Sequence, residues 1–206
     1  MLRDPTRLYG GTIPPEKERA AKIISAFTQP PVISIPVFML LNTEAAGLGG
    51  WLLYTLICIV FAIVLPMVFI SYFAKRYGND DGDIVRREDR YVMLALGAVF
   101  YLLGTVCLYL ADAPEITTVL MLCYLVVTVA VLLITFYWKI SLHSIGLMGP
   151  SMALFVTFGL PGLALLLLYP PVLWARYYLK KHTPLQLALA PAVGFAITYA
   201  IFLLLL

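Results

Sequence analysis

The strongest constraint on this chain is a series of long, almost uncharged apolar runs. Trp51–Phe73, Tyr91–Leu110, Ile116–Trp138 and Leu185–Leu206 each continue for about 20 residues, the length a helix needs to cross a bilayer core of about 30 Å. In lipid the backbone must satisfy its own hydrogen bonds, so such runs are helices rather than open strands. The composition agrees: of 206 residues 62% are hydrophobic and 12% are charged, about half the charge of a soluble domain. The sequence therefore predicts an all-α, polytopic transmembrane helical bundle of six or seven spans. A polar amino-terminal arm, residues 1–25, precedes one bundle formed by residues 26–206. The first 22 residues carry Arg3, Arg7, Lys17, Arg19 and Lys22 and no apolar core, so no cleavable signal peptide is expected.

Residues 27–47 are the weakest span. Pro30, Pro31 and Pro36 sit in its first half, and it either crosses with a kink or dips in and returns. A short interfacial helix is expected around Glu16–Ala26, and Pro66 is expected to kink the second span. Gly159-Leu-Pro-Gly162 is a turn signal between a fifth span, His143 to about Phe158, and a sixth that ends near Lys180. Pro170 and Pro171 then fall inside that sixth span as a kink. The interval from His143 to Arg176 allows two helices of about 16 residues, roughly 25 Å each. Both are short for a bilayer, so polar residues at their ends are expected to sit recessed beneath the lipid surface.

Seven crossings put all 14 Lys and Arg residues on one face, with Glu44, Asp112 and Glu115 on the other. By the positive-inside rule the basic face is cytoplasmic, which implies an integral protein of the cell membrane. No nucleic-acid partner is expected, and the oligomeric state is left open. Cys58, Cys107 and Cys123 lie in apolar runs without metal-ligand spacing and behave as small hydrophobes.

Three polar constellations fall on the basic face. Trp174-Ala-Arg176-Tyr-Tyr-Leu-Lys-Lys-His182-Thr-Pro-Leu-Gln186 holds one of the two histidines. Thr183, Pro184 and Gln186 read as N-cap, first helical position and third position of a capping box. His182 thus stands just outside a helix amino terminus, where N–H groups favour anions. Trp138-Lys139-Ile-Ser141-Leu-His143 holds the other histidine. A third stretch, Asp80 to Arg90, offers Arg86, Arg87 and Arg90, with Arg90 at the mouth of a span. Each stretch alone also fits a bland reading, as a helix cap, an interfacial Trp-Lys anchor or a solvated loop. Together they place the only two histidines on one face, each near cations.

Arg176-x5-His182 resembles part of the SRxxxxxHxxxD motif of the type 2 phosphatidic acid phosphatase superfamily. Ser141-x-His143 is similar to the second half of its PSGH motif, and the loop ending at Arg90 to its KxxxxxxRP motif. The resemblance runs from about residue 30 to the end. It implies a metal-independent lipid phosphate phosphatase that uses no cofactor and works through a phosphohistidine. His182 would be the nucleophile and His143 the general acid. Arg176, Arg90, Arg87, Lys139 and Ser141 would bind phosphate, and Gln186 would orient His182. The chain departs from the pattern where Ala175 replaces Ser, Gln186 replaces Asp, and Ile140 and Leu142 replace Pro and Gly.

The expected substrate is a lipid or isoprenoid phosphate or diphosphate drawn from the membrane. The alternative is a catalytically weak or inactive phosphatase-like protein that binds anionic lipid head groups, for which Gln186 is the main argument. A third class, a metal-dependent prenyltransferase, is suggested by Asn79-Asp-Asp-Gly-Asp83 but lacks a second aspartate cluster.

Overall fold

The computed structural model describes residues 15–45, 47–76 and 90–206. Among them every regular element is helical. In order these are α1 (Pro15–Phe27), α2 (Pro30–Leu41), α3 (Gly47–Cys58), α4 (Leu65–Arg76), α5 (Tyr91–Leu110), α6 (Glu115–Thr135), α7 (Leu142–Ile145), α8 (Met148–Phe158), α9 (Tyr169–Tyr178) and α10 (Pro184–Leu205). A π-helical segment, Ile59–Val64, joins α3 to α4, and a 3-10 segment, Leu160–Leu168, joins α8 to α9.

Among the described residues, four helices are long and apolar enough to cross a membrane: 47–73, α5, α6 and α10. The pair formed by α1 and the segment 30–44, bent by 42°, would make a fifth. The runs predicted as the third and last spans agree closely with α5 and α10. The predicted fifth and sixth spans do not form full-length helices. Residues 142–158 make a short apolar helix, and the return from Leu160 is 3-10 before it becomes α-helical at Tyr169.

Prolines explain where the helices change character. Pro66 has no N–H for the carbonyl four residues back, and its ring crowds that carbonyl. The turn preceding it widens into the π segment 59–64 instead of kinking sharply. Pro170 and Pro171 are not an interior kink. They occupy the first turn of α9, where a missing N–H costs least. At the tip of the α8 hairpin, Gly159 has φ +70°. Gly162 comes so close to the backbone of Leu154 that a Cβ there would lie 2.2 Å from its carbonyl oxygen. Only glycine permits that reversal.

The weakest span of the sequence contributes one face to the core of the bundle. Helix α2 buries Ile33, Val37, Phe38 and Leu41 against α3, α6 and α8. Its opposite face, with Pro36, Met39 and Leu40, is exposed and apolar, as suits a helix that also meets lipid. Its short length is offset at its end by polar partners inside the protein. Asn42, fully buried, donates to Thr55 Oγ1 at 3.1 Å and accepts from Thr117 Oγ1 at 2.8 Å, tying α2 to α3 and α6. Such contacts, with close backbone approach, hold helices together in lipid, where the hydrophobic effect between helices is absent. Replacement Asn42→Leu is expected to lower stability by about 1–2 kcal/mol, since two hydroxyls lose a shared partner. A fall in the thermal midpoint of detergent-solubilised protein checks this; an unchanged midpoint refutes it.

The two ends of the bundle differ in charge. Glu44, Asp112 and Glu115 line one recess beside Leu206. The opposite end carries the start of α2, the ends of α4, α6 and α9, and the starts of α5, α7 and α10. Helix α1 packs against α9 at that end, with Lys17 Nζ 5.7 Å from the Tyr178 ring. The amino-terminal segment is therefore docked on the bundle from residue 15 onward, and the helix expected around Glu16–Ala26 is α1.

Candidate functional site

Three tertiary links assemble the basic end. Arg90, 7% exposed at the start of α5, donates from Nη1 to the carbonyl of Ile140 at 3.2 Å. That bond brings Arg90 onto the segment that carries His143. Arg176, 3% exposed near the end of α9, donates from Nη1 to Ser25 Oγ of α1 at 2.9 Å. Its Nη2 lies 3.5 Å from Nε2 of His182, which is 2% exposed.

Local backbone geometry returns His182 to Arg176. Helix α9 ends with Lys180 at φ +56°, a left-handed residue, and Lys181 N–H bonds the Arg176 carbonyl at 3.2 Å. This is the reversal that glycine usually supplies at a helix end. A lysine there costs roughly 1 kcal/mol of backbone strain. The chain then enters α10 through the predicted capping box. Thr183 Oγ1 accepts from Gln186 N–H at 3.2 Å, and Gln186 Oε1 accepts from Thr183 N–H at 3.0 Å.

A cavity of about 200 Å³ opens from this end into the bundle. His143, His182, Arg90, Arg176 and Ser25 line its polar part. Beyond them the walls are mainly apolar, formed by α4, α5 and α6 through residues such as Phe69, Gly97, Phe100 and Val127. Gly146 sets the near wall: a Cβ at that position would lie 2.6 Å from Pro30 Cγ, so α7 and α2 meet without a side chain between them.

Of the residues expected to act, His182, His143, Arg176 and Arg90 share this cavity. Lys139 and Ser141 are not among its lining residues. Ser141 is fully buried and caps α7, accepting from Ser144 N–H at 3.4 Å and from Ser144 Oγ at 3.1 Å. Gln186 is buried, and its side-chain oxygen is engaged by Thr183 rather than turned to His182. Arg87 lies outside the described residues, as do Asn79 to Asp83. Sequence reasoning did not single out Ser25, Ser34 or Tyr124, which also line the cavity. Tyr124 carried a signal, because a phenol in mid-span requires a polar partner. Ser25, on an amphipathic helix, carried none.

Chemically, the cavity combines an apolar channel with two fixed guanidiniums and two imidazoles at its mouth. An Arg guanidinium donates and never accepts, so its approach to His182 Nε2 favours the lone pair on that nitrogen. No protein-family model, characterised protein or solved structure matches the chain.

Proposed function

We propose that the protein is a membrane lipid phosphatase that hydrolyses a lipid or isoprenoid phosphate or diphosphate through a phosphohistidine. The observation that carries this reading is the shared cavity: both histidines and two buried arginines stand at the head of an apolar channel. A water-soluble phosphate would not require that channel, whereas a lipid would lay its chain there. In this reading Arg176 and Arg90 hold the phosphate oxygens by charge-assisted bonds. Nε2 of His182 attacks phosphorus and the P–O bond to the lipid breaks, with protonated His143 giving its proton to the leaving oxygen. Water, deprotonated by His143, then cleaves the P–N bond and releases inorganic phosphate. Covalent catalysis divides a difficult hydrolysis in two, and fixed donors stabilise the developing charge.

Lys139 and Ser141 act in this scheme from behind, Ser141 by setting the start of α7. The chain makes seven passes, α1 lies along the cytoplasmic face of the cell membrane, and the site opens on that face. The alternation of helix ends and the basic residues gathered at one end support that topology.

Purified protein in detergent is expected to release phosphate from long-chain lipid phosphates without added metal, and to be much slower on short water-soluble monoesters. A malachite-green assay across such a panel checks this; no release from any lipid phosphate rejects the enzyme. The second reading, a binder of anionic head groups, draws support from Gln186. Its oxygen is committed to Thr183, and it supplies no carboxylate to stabilise an imidazolium. Head-group-dependent binding without turnover would select it.

A further inference from the structure

The cavity contains a second polar station that the hydrolytic scheme does not use. Ser34 of α2 is 1% exposed, and its hydroxyl donates to the Pro30 carbonyl at 2.6 Å. The Tyr124 hydroxyl of α6 lies 2.8 Å from Ser34 Oγ. Both side chains line the cavity. A serine hydroxyl has one proton. Pro30's carbonyl takes it, so Ser34 must accept from Tyr124. The Tyr124 proton is thereby committed as well, and the phenol oxygen presents only lone pairs to the cavity. Phe38 and Tyr101 stack edge-on against its ring at 5.7 and 5.6 Å, which holds it in place.

We infer that the Ser34–Tyr124 pair is a specificity subsite: it accepts a hydrogen bond from a donor on the lipid, a hydroxyl close to the phosphate ester. The inference rests on the lipid phosphatase reading for what occupies the channel. Ser34 is one helical turn, about 6 Å, beyond Pro30. Pro30 itself lines the cavity beside Gly146, three positions after His143. Both stations line the one cavity, and a hydroxyl on the carbon next to the one that bears the ester oxygen is the first donor a lipid phosphate offers beyond its phosphate. An ether, ester or plain methylene there gains nothing from an acceptor, and the two fixed protons make the station blind to acceptor-only lipids.

The test uses three probes that differ at one carbon: a single-chain glycerol phosphate with a free 2-hydroxyl, its 2-deoxy analogue and its 2-methoxy analogue. Hydrolysis and equilibrium binding, by native mass spectrometry, are measured for each. The wild-type protein is expected to favour the hydroxyl probe over both others by roughly three- to ten-fold, the value of one net hydrogen bond. Tyr124→Phe is expected to abolish that preference, so that the hydroxyl and deoxy probes are handled alike. Ser34→Ala frees the phenol proton, and the methoxy probe is then expected to gain on the deoxy probe. Equal handling of hydroxyl and deoxy probes by the wild type overturns the subsite, as does an intact preference in Tyr124→Phe. Preferential binding without any phosphate release keeps the subsite and overturns the phosphatase reading instead.

Discussion

Replacing His182 with alanine is expected to reduce phosphate release from a lipid phosphate by at least ~10³-fold, the scale seen when a covalent nucleophile is removed. The substitution leaves the capping box of α10 untouched, because Thr183 and Gln186 bond each other and not the imidazole. The fold should therefore survive, and the thermal midpoint in detergent should move by only a few degrees. Rapid acid-free quenching with labelled substrate should trap a phosphoprotein in the wild type and none in His182→Ala. His143→Ala is expected to behave differently. It should slow a lipid alcohol leaving group strongly and an aryl phosphate with an acidic leaving group far less, because the latter departs without a proton. Comparison with Val99→Ala, a change at a half-exposed position of α5, provides the control. Equal rates in His182→Ala and that control would remove His182 from the chemistry.

Arg176→Lys is expected to reduce turnover by about 10²- to 10³-fold, although charge is conserved. The guanidinium reaches two partners at once, with Nη1 on Ser25 and Nη2 towards His182. A single ammonium does not span α1 and the loop before α10, and it cannot grip two phosphate oxygens in a fork. Ser25→Ala removes one positioning bond and should cost no more than about ten-fold. These variants are read by kcat and by thermal midpoint together. Near wild-type turnover in Arg176→Lys would exclude Arg176 as a phosphate ligand. Activity lost only in step with the midpoint would make it a structural tie between α1 and α9.

The local features of the chain were readable because their physics is local. The apolar lengths that became α5 and α10, the Thr183–Gln186 capping box and the Gly159–Gly162 reversal each depend on a few neighbouring residues. The gathering of Arg90, Arg176 and both histidines at one end followed from counting helix directions. Features that depend on distant partners were not readable in the same way. Residues 27–47 looked weak as a span because prolines interrupt them, yet α2 buries one face against its neighbours and ends on a buried asparagine with two threonine partners. Ser141 matched a phosphate-binding motif in the sequence, and in the fold its hydroxyl caps α7. Gln186 was read both as a capping residue and as an orienter of His182. Its one carbonyl oxygen serves the cap.

The amino-acid sequence by itself determined that this chain is helical, apolar enough for lipid, and basic at one end, because span length, capping and charge are properties of short segments. The tertiary structure alone decided what lies between the helices: the buried face of α2, the π and 3-10 segments beside prolines, and a channel with a second polar station at Ser34 and Tyr124. Those depend on which side chains meet across the bundle, and hydrogen-bond direction between residues 90 positions apart has no signature along the chain.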